Sequence, residues 1–148
     1  MYRLWRFTPW LNRLILSAAT LIFTLIGVKY ITDPVRAAAS FKISLGSAAA
    51  ITSMRVGFGA FPLGFAIIVA SCLVSTSRLL GGLYFVATIS GVATAARVLG
   101  IVVDGAAPES VFLLRPEVAL LALSVVGLLL ESGRRRHERT HAVLPVAV

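Results

Sequence analysis

Four charged side chains lie in or beside apolar stretches of this 148-residue sequence: Arg55, Arg97, Asp104 and Glu117. A guanidinium group is a planar fork of N–H donors, and a carboxylate accepts such a fork two bonds at a time. The set can therefore do one of two things. It can form structural ion pairs that fix helix register, or it can present two guanidinium groups to an anionic or carbonyl-bearing small molecule. An arginine at mid-bilayer costs about 2.5–3.5 kcal/mol on insertion scales, so Arg97 must be paired, turned inward or extended toward the interface. Asp104 lies seven residues further on, two turns and about 10 Å along the same helix face. Glu117 opens the next apolar run, so either carboxylate can meet Arg97. Glu117 follows Pro116 in a first helical turn and can equally serve the helix dipole. Arg115 reads as interfacial and solvated.

Other chemistries find little support. No histidine lies in an apolar run, which disfavours a haem held between helices. His137 and His141 stand one turn apart in a basic tail and do not make a metal site. The Ser, Thr and Cys residues of the apolar runs have no nearby histidine base, so no nucleophilic triad is expected. No glycine-rich phosphate loop follows a strand, and no strand is expected at all. The single cysteine, Cys72, is read as a buried, inert thiol. The expectation is a protein that leans away from enzymes and needs neither cofactor nor metal.

The elements that must position the four charges follow from composition. Hydrophobic residues make up 58% of the chain, charged residues 14%, and mean hydropathy is +0.93, outside the range of soluble domains. A helix needs about 20 apolar residues to cross the roughly 30 Å hydrocarbon core, and the chain has room for four such crossings. They are expected at about residues 14–32, 53–75, 79–103 and 116–131, between an N-terminal segment 1–13 and a basic tail 132–148. Trp5, Trp10 and Arg13 precede the first span as interfacial anchors. That span is preferred over a cleaved signal peptide because Lys29, Asp33, Pro34 and Arg36 carry the polar region past a usual cleavage site.

Asp33-Pro34 reads as an N-cap followed by proline at the first helical position, starting a short interfacial helix. Residues 34–52 can form a helix, a lid or an external loop. In the second span, Gly57, Gly59, Ala60 and Gly64 would let a neighbouring helix approach closely, and Pro62 would kink the helix. In the third, Gly91 and Gly100 are expected to do the same packing work. Asp104-Gly105 and Pro108 end the third span, and Arg115-Pro116-Glu117 opens the fourth.

Four spans put both termini on one side. That side would carry Arg3, Arg6, Arg13, Arg78, Arg134, Arg135, Arg136 and Arg139, and the other Lys29, Arg36, Lys42 and Arg115. The eight-to-four split favours both termini in the cytoplasm. Arg55, Arg97, Asp104 and Glu117 then fall in the outer half of the membrane. The net charge of +8 belongs to this topology and not to nucleic-acid binding, which wants a basic face on a soluble fold. The arginines from Arg134 to Arg139 form a flank suited to anionic lipid.

The order of a first span, a polar external segment, R-V-G-F-G-A-F-P-L-G at Arg55 to Gly64, A-A-R-V-L-G-I-V-V-D-G at Ala95 to Gly105, and P-E at Pro116 and Glu117 resembles the small bacterial membrane proteins grouped as domain of unknown function 4345. The resemblance covers about residues 12–131. It implies a four-helix membrane fold, and Arg55, Gly59, Arg97, Gly100, Asp104, Gly105 and Glu117 match the family pattern. Phe61-Pro62 and the long basic tail depart from it. The resemblance implies no activity.

The expectation is thus an all-α, integral membrane four-helix bundle of the bacterial inner membrane, with a short interfacial helix after the first span. Its Arg55, Arg97, Asp104 and Glu117 cluster would hold the helices together and could line a small-ligand pocket. Two alternatives stand beside this reading. A transporter of small anions or metabolites would need a polar track running inward, for which only Ser71, Thr88, Ser90, Thr94 and Ser124 are available. An accessory subunit of a larger membrane complex, or a homo-oligomer, would use the small residues of spans two and three as its contact surface.

Overall fold

The computed structural model describes residues 2–142, with side chains from Phe7 to Glu138, and the regular structure among them is helical throughout. The helices are α1 (Tyr2–Thr32), α2 (Pro34–Ala39), α3 (Ala48–Met54), α4 (Phe61–Leu73), α5 (Leu79–Asp104) and α6 (Pro108–Ala142). A π-helical turn, Arg55–Ala60, joins α3 to α4, and a 3₁₀ turn, Thr76–Arg78, leads into α5. Four stretches are long and apolar enough to cross a membrane: Phe7–Thr32, Ala48–Leu73, Thr76–Asp104 and Pro108–Glu138. The protein is a multi-pass membrane protein, as its composition requires.

Several boundaries follow local chemistry. Asp33 caps α2 by accepting from the Arg36 amide at 3.0 Å, with Pro34 next in line. Ser47 caps α3 through the Ala50 amide at 3.1 Å, so the helix that leads into the second apolar stretch begins at Ala48. Gly105, at φ 100°, ends α5 in a conformation that suits glycine. Helix α6 starts at Pro108, upstream of Pro116, because Pro108 fits the first helical turn and Glu109 complements the dipole there. Pro116 lies inside α6. It removes one backbone bond to Phe112, a loss that membrane helices tolerate.

The chain divides into two compact units. Residues 17–71 form one of them. Here Pro62 has a larger effect than a kink. It has no N–H for the Phe58 carbonyl and its ring crowds that carbonyl, so the preceding turn widens, and the Phe61 amide reaches back five residues to the Val56 carbonyl. The widened turn brings Gly59 against the second half of α1. A Cβ on Gly59 would lie 2.7 Å from Ile31 Cγ1, and one on Gly27 would lie 2.8 Å from the Gly59 carbonyl oxygen. A Cβ on Gly57 or Gly64 would meet nothing within 4 Å. Of the glycines expected to make a close approach in this span, Gly59 makes it, with Gly27 of α1 opposite, and Gly57 and Gly64 do not. Phe23 meets Phe65 edge-on, with ring centroids 5.9 Å apart, and Tyr30 meets Phe58 at 5.4 Å.

The other unit joins the chain up to Leu16 with the chain from Cys72 onward. Its frame is the antiparallel pair α5 and α6, linked by residues 105–107. The side of α5 turned to its neighbours buries Leu79, Leu83, Val86 and Ser90; that of α6 buries Leu120, Ser124, Gly127 and Glu131. Both sets repeat every three or four residues, the period of one helix face. Two glycines not singled out from the sequence let backbones close in. A Cβ on Gly82 would lie 2.8 Å from Cys72 Cβ, and one on Gly127 would lie 2.9 Å from Leu83 Cδ2. Gly91 makes only ordinary contact with Leu121, and Gly100 only with Asp104 of its own helix.

Candidate functional site

Arg97 stands seven residues before the end of α5, and Glu117 nine residues after the start of α6. In an antiparallel pair joined by a three-residue link, these positions are nearly level. The outcome is a two-bond fork: Arg97 Nε donates to Glu117 Oε2 at 2.7 Å and Nη2 donates to Oε1 at 2.6 Å. The two side chains keep 26% and 22% of their surface exposed, so the pair is half-buried in protein and each helix contributes one charge. Of the two carboxylates open to Arg97, the structure selects Glu117. Reaching Asp104 would have required Arg97 to stretch two turns along its own helix, whereas Glu117 lies directly across. Asp104 is the last residue of α5 and is exposed. Arg55 belongs to the other unit, at the first residue of the π turn, and is exposed, as is Arg115.

A second charged group, not anticipated from the sequence, lies at the far end of α6. Glu131 is fully buried. It accepts from Arg134 Nη2 at 2.6 Å and Arg134 Nε at 3.1 Å, from Arg135 Nε at 3.0 Å, and from Asn12 Nδ2 at 3.2 Å. A carboxylate offers about four acceptor positions, and all are taken. Arg134 also reaches Glu138, and Arg135 Nη2 donates to the carbonyls of Thr76 and Ser77 at 3.3 and 2.7 Å. Arg13 Nη2 donates to Thr76 Oγ1 at 3.2 Å, while its guanidinium sits 5.9 Å from the ring of the exposed Trp10. The network ties α1, the 3₁₀ turn and α6 together.

This arrangement changes how the basic flank reads. Arg134 and Arg135 fold back onto Glu131 instead of projecting outward, since spacings of three and four residues place them over its face. The side chains of Trp5, Arg3, Arg6, Arg139 and His141, and all of residues 143–148, lie outside the described residues. The signal in the sequence was Glu131 followed by arginines at those helical spacings. Nothing comparable marked Asn12 as its partner. Among the described residues, no group of three or more His, Cys, Asp or Glu side chains is placed to hold a metal ion.

Both charged groups can hold helices together. Neither group pairs a nucleophile with a base. No curated protein and no solved structure matches the chain. A family model described as "Domain of unknown function (DUF4345)" matches residues 11–130, a stretch that holds Asn12, Arg55, Arg97, Asp104 and Glu117 and stops one residue before Glu131, and the chain belongs to that family.

Proposed function

We propose that this protein is a non-enzymatic component of the bacterial inner membrane, with both termini in the cytoplasm, in which Arg97 and Glu117 clamp α5 against α6. The observation that carries the reading is the 2.6–2.7 Å fork between the two helices. A charge-assisted fork fixes both separation and register, which a single hydrogen bond does not. The orientation rests on the eight-to-four distribution of Lys and Arg. It sets the Arg97–Glu117 pair in the outer half of the membrane, where the open side of the guanidinium suits a small anionic ligand. At the cytoplasmic face the basic tail after Glu131 is suited to anionic lipid, while Arg134 is occupied by Glu131 and Glu138.

The test is the melting temperature of detergent-purified Arg97→Ala, Glu117→Ala and the double variant, with native mass spectrometry of the unaltered protein. A clamp predicts that each single variant loses several degrees, that the double loses little more, and that no small molecule is carried. Unchanged melting, together with a bound species that disappears in Arg97→Ala, would make the pair a binding site and overturn the clamp.

A further inference from the structure

Glu117, Ser124 and Glu131 repeat every seven residues on α6, which places them on one face with about 10 Å between successive members. The two ends are carboxylates saturated or forked by arginine. The middle is not satisfied. Ser124 is fully buried, and its Oγ has no hydrogen-bond partner among the described residues. Asn12, also fully buried, gives its Nδ2 to Glu131, but its Oδ1 has no partner. Thr94 Oγ1 is a third such atom. By the register that sets Arg97 against Glu117 and Gly91 beside Leu121, Thr94 falls level with the turn between Glu117 and Ser124.

Asn12 Oδ1 also borders the notch at Gly127, one turn beyond Ser124. A Cβ there would lie 3.0 Å from that oxygen. By position along α5 and α6, the three orphaned oxygens thus fall between one charged group and the other.

A helical hydroxyl in an apolar setting can bond to a carbonyl of its own helix. Others in this chain do so: Thr24 to Thr20 at 2.8 Å, Thr88 to Tyr84 at 2.9 Å and Ser71 to Ile68 at 2.7 Å. Thr94 and Ser124 do not. Buried polar atoms in native proteins are almost always partnered, by protein or by ordered water. We propose that a file of bound water molecules occupies this seam, seated on Thr94 Oγ1, Ser124 Oγ and Asn12 Oδ1 between the Glu117 and Glu131 carboxylates. Water suits the three positions because it donates to the amide oxygen and both donates to and accepts from the hydroxyls. The seam is separate from the clamp and does not depend on it.

The test is hydroxyl-radical footprinting by synchrotron radiolysis on the full chain in lipid nanodiscs, where bound water generates the label locally. Leu83, fully buried beside Gly127, is compared with Val69, fully buried in the other unit, after correction for intrinsic reactivity. The seam predicts at least several-fold faster labelling of Leu83, reduced at least twofold in Ser124→Ala. It also predicts a lower melting temperature for Ser124→Ala, since a hydrated hydroxyl is lost. Labelling of Leu83 at the Val69 rate overturns the proposal. So does a melting temperature that rises or stays put in Ser124→Ala, because removing a truly orphaned hydroxyl relieves a penalty.

Discussion

Asn12 Nδ2 and Glu131 Oε2 lie 3.2 Å apart across 119 positions of sequence, and both residues are fully buried. The bond joins the start of the first crossing to the end of the fourth, within one unit of the fold. It completes the acceptor set of a carboxylate that otherwise serves two arginines. Removing that carboxylate leaves Arg134 with only the exposed Glu138 and Arg135 with only the Thr76 and Ser77 carbonyls.

Glu131→Ala is therefore expected to be more damaging than Glu117→Ala. Breaking a buried ion pair from one side costs about 3–5 kcal/mol, and Glu117 is partly exposed where Glu131 is not. Melting temperatures of the two variants in the same detergent check the order. An equal or smaller loss for Glu131→Ala would mean that the arginines find other partners.

Asn12→Asp is expected to destabilise the protein at neutral pH and to recover on acidification. The substitution sets a second buried carboxylate against Glu131, and two like charges there repel unless a proton is shared between them. Melting curves between about pH 4 and pH 8 should converge with those of the unaltered chain at the acid end.

The glycines are expected to split into two classes. Gly59→Ala places a Cβ 2.7 Å from Ile31 Cγ1 and 3.1 Å from the Ile31 backbone nitrogen, and overpacking of this kind costs about 1–3 kcal/mol. Gly57→Ala and Gly64→Ala meet open space and should be neutral or gain up to about 1 kcal/mol from helix propensity. Thermal melting of the three variants decides this.

Pro62→Ala is expected to convert the π turn to an ordinary α-helical one. Restoring the amide lets it bond to the Phe58 carbonyl, and removing the ring ends the crowding that widened the turn. Residues before the turn would then rotate by about 100°, the angle of one residue. Arg55→Cys, in a chain whose only other cysteine, Cys72, has been replaced, should change its rate of reaction with a polar thiol reagent when Pro62→Ala is added. An unchanged rate would show that the π turn has another cause.

The sequence by itself determined the class of the protein and much of its segmentation. Long apolar runs specify crossings because an unpaired backbone cannot sit in hydrocarbon. Asp33-Pro34 and Gly105 mark helix ends because capping and positive φ are local requirements. The sequence also narrowed the partner of Arg97 to two carboxylates. The choice of Glu117 needed the tertiary structure, since it depends on how α5 and α6 register across residues 105–107. Asn12 as the partner of Glu131 was beyond local reasoning, because 119 positions separate them and only helix packing brings them together. Which of the expected Gly57, Gly59 and Gly64 meets α1 was decided only in the structure, for a related reason. One residue of extra turn rotates every later side chain by about 100°, so a pattern read on an ideal helix points to the wrong face once the π turn at Arg55–Ala60 intervenes.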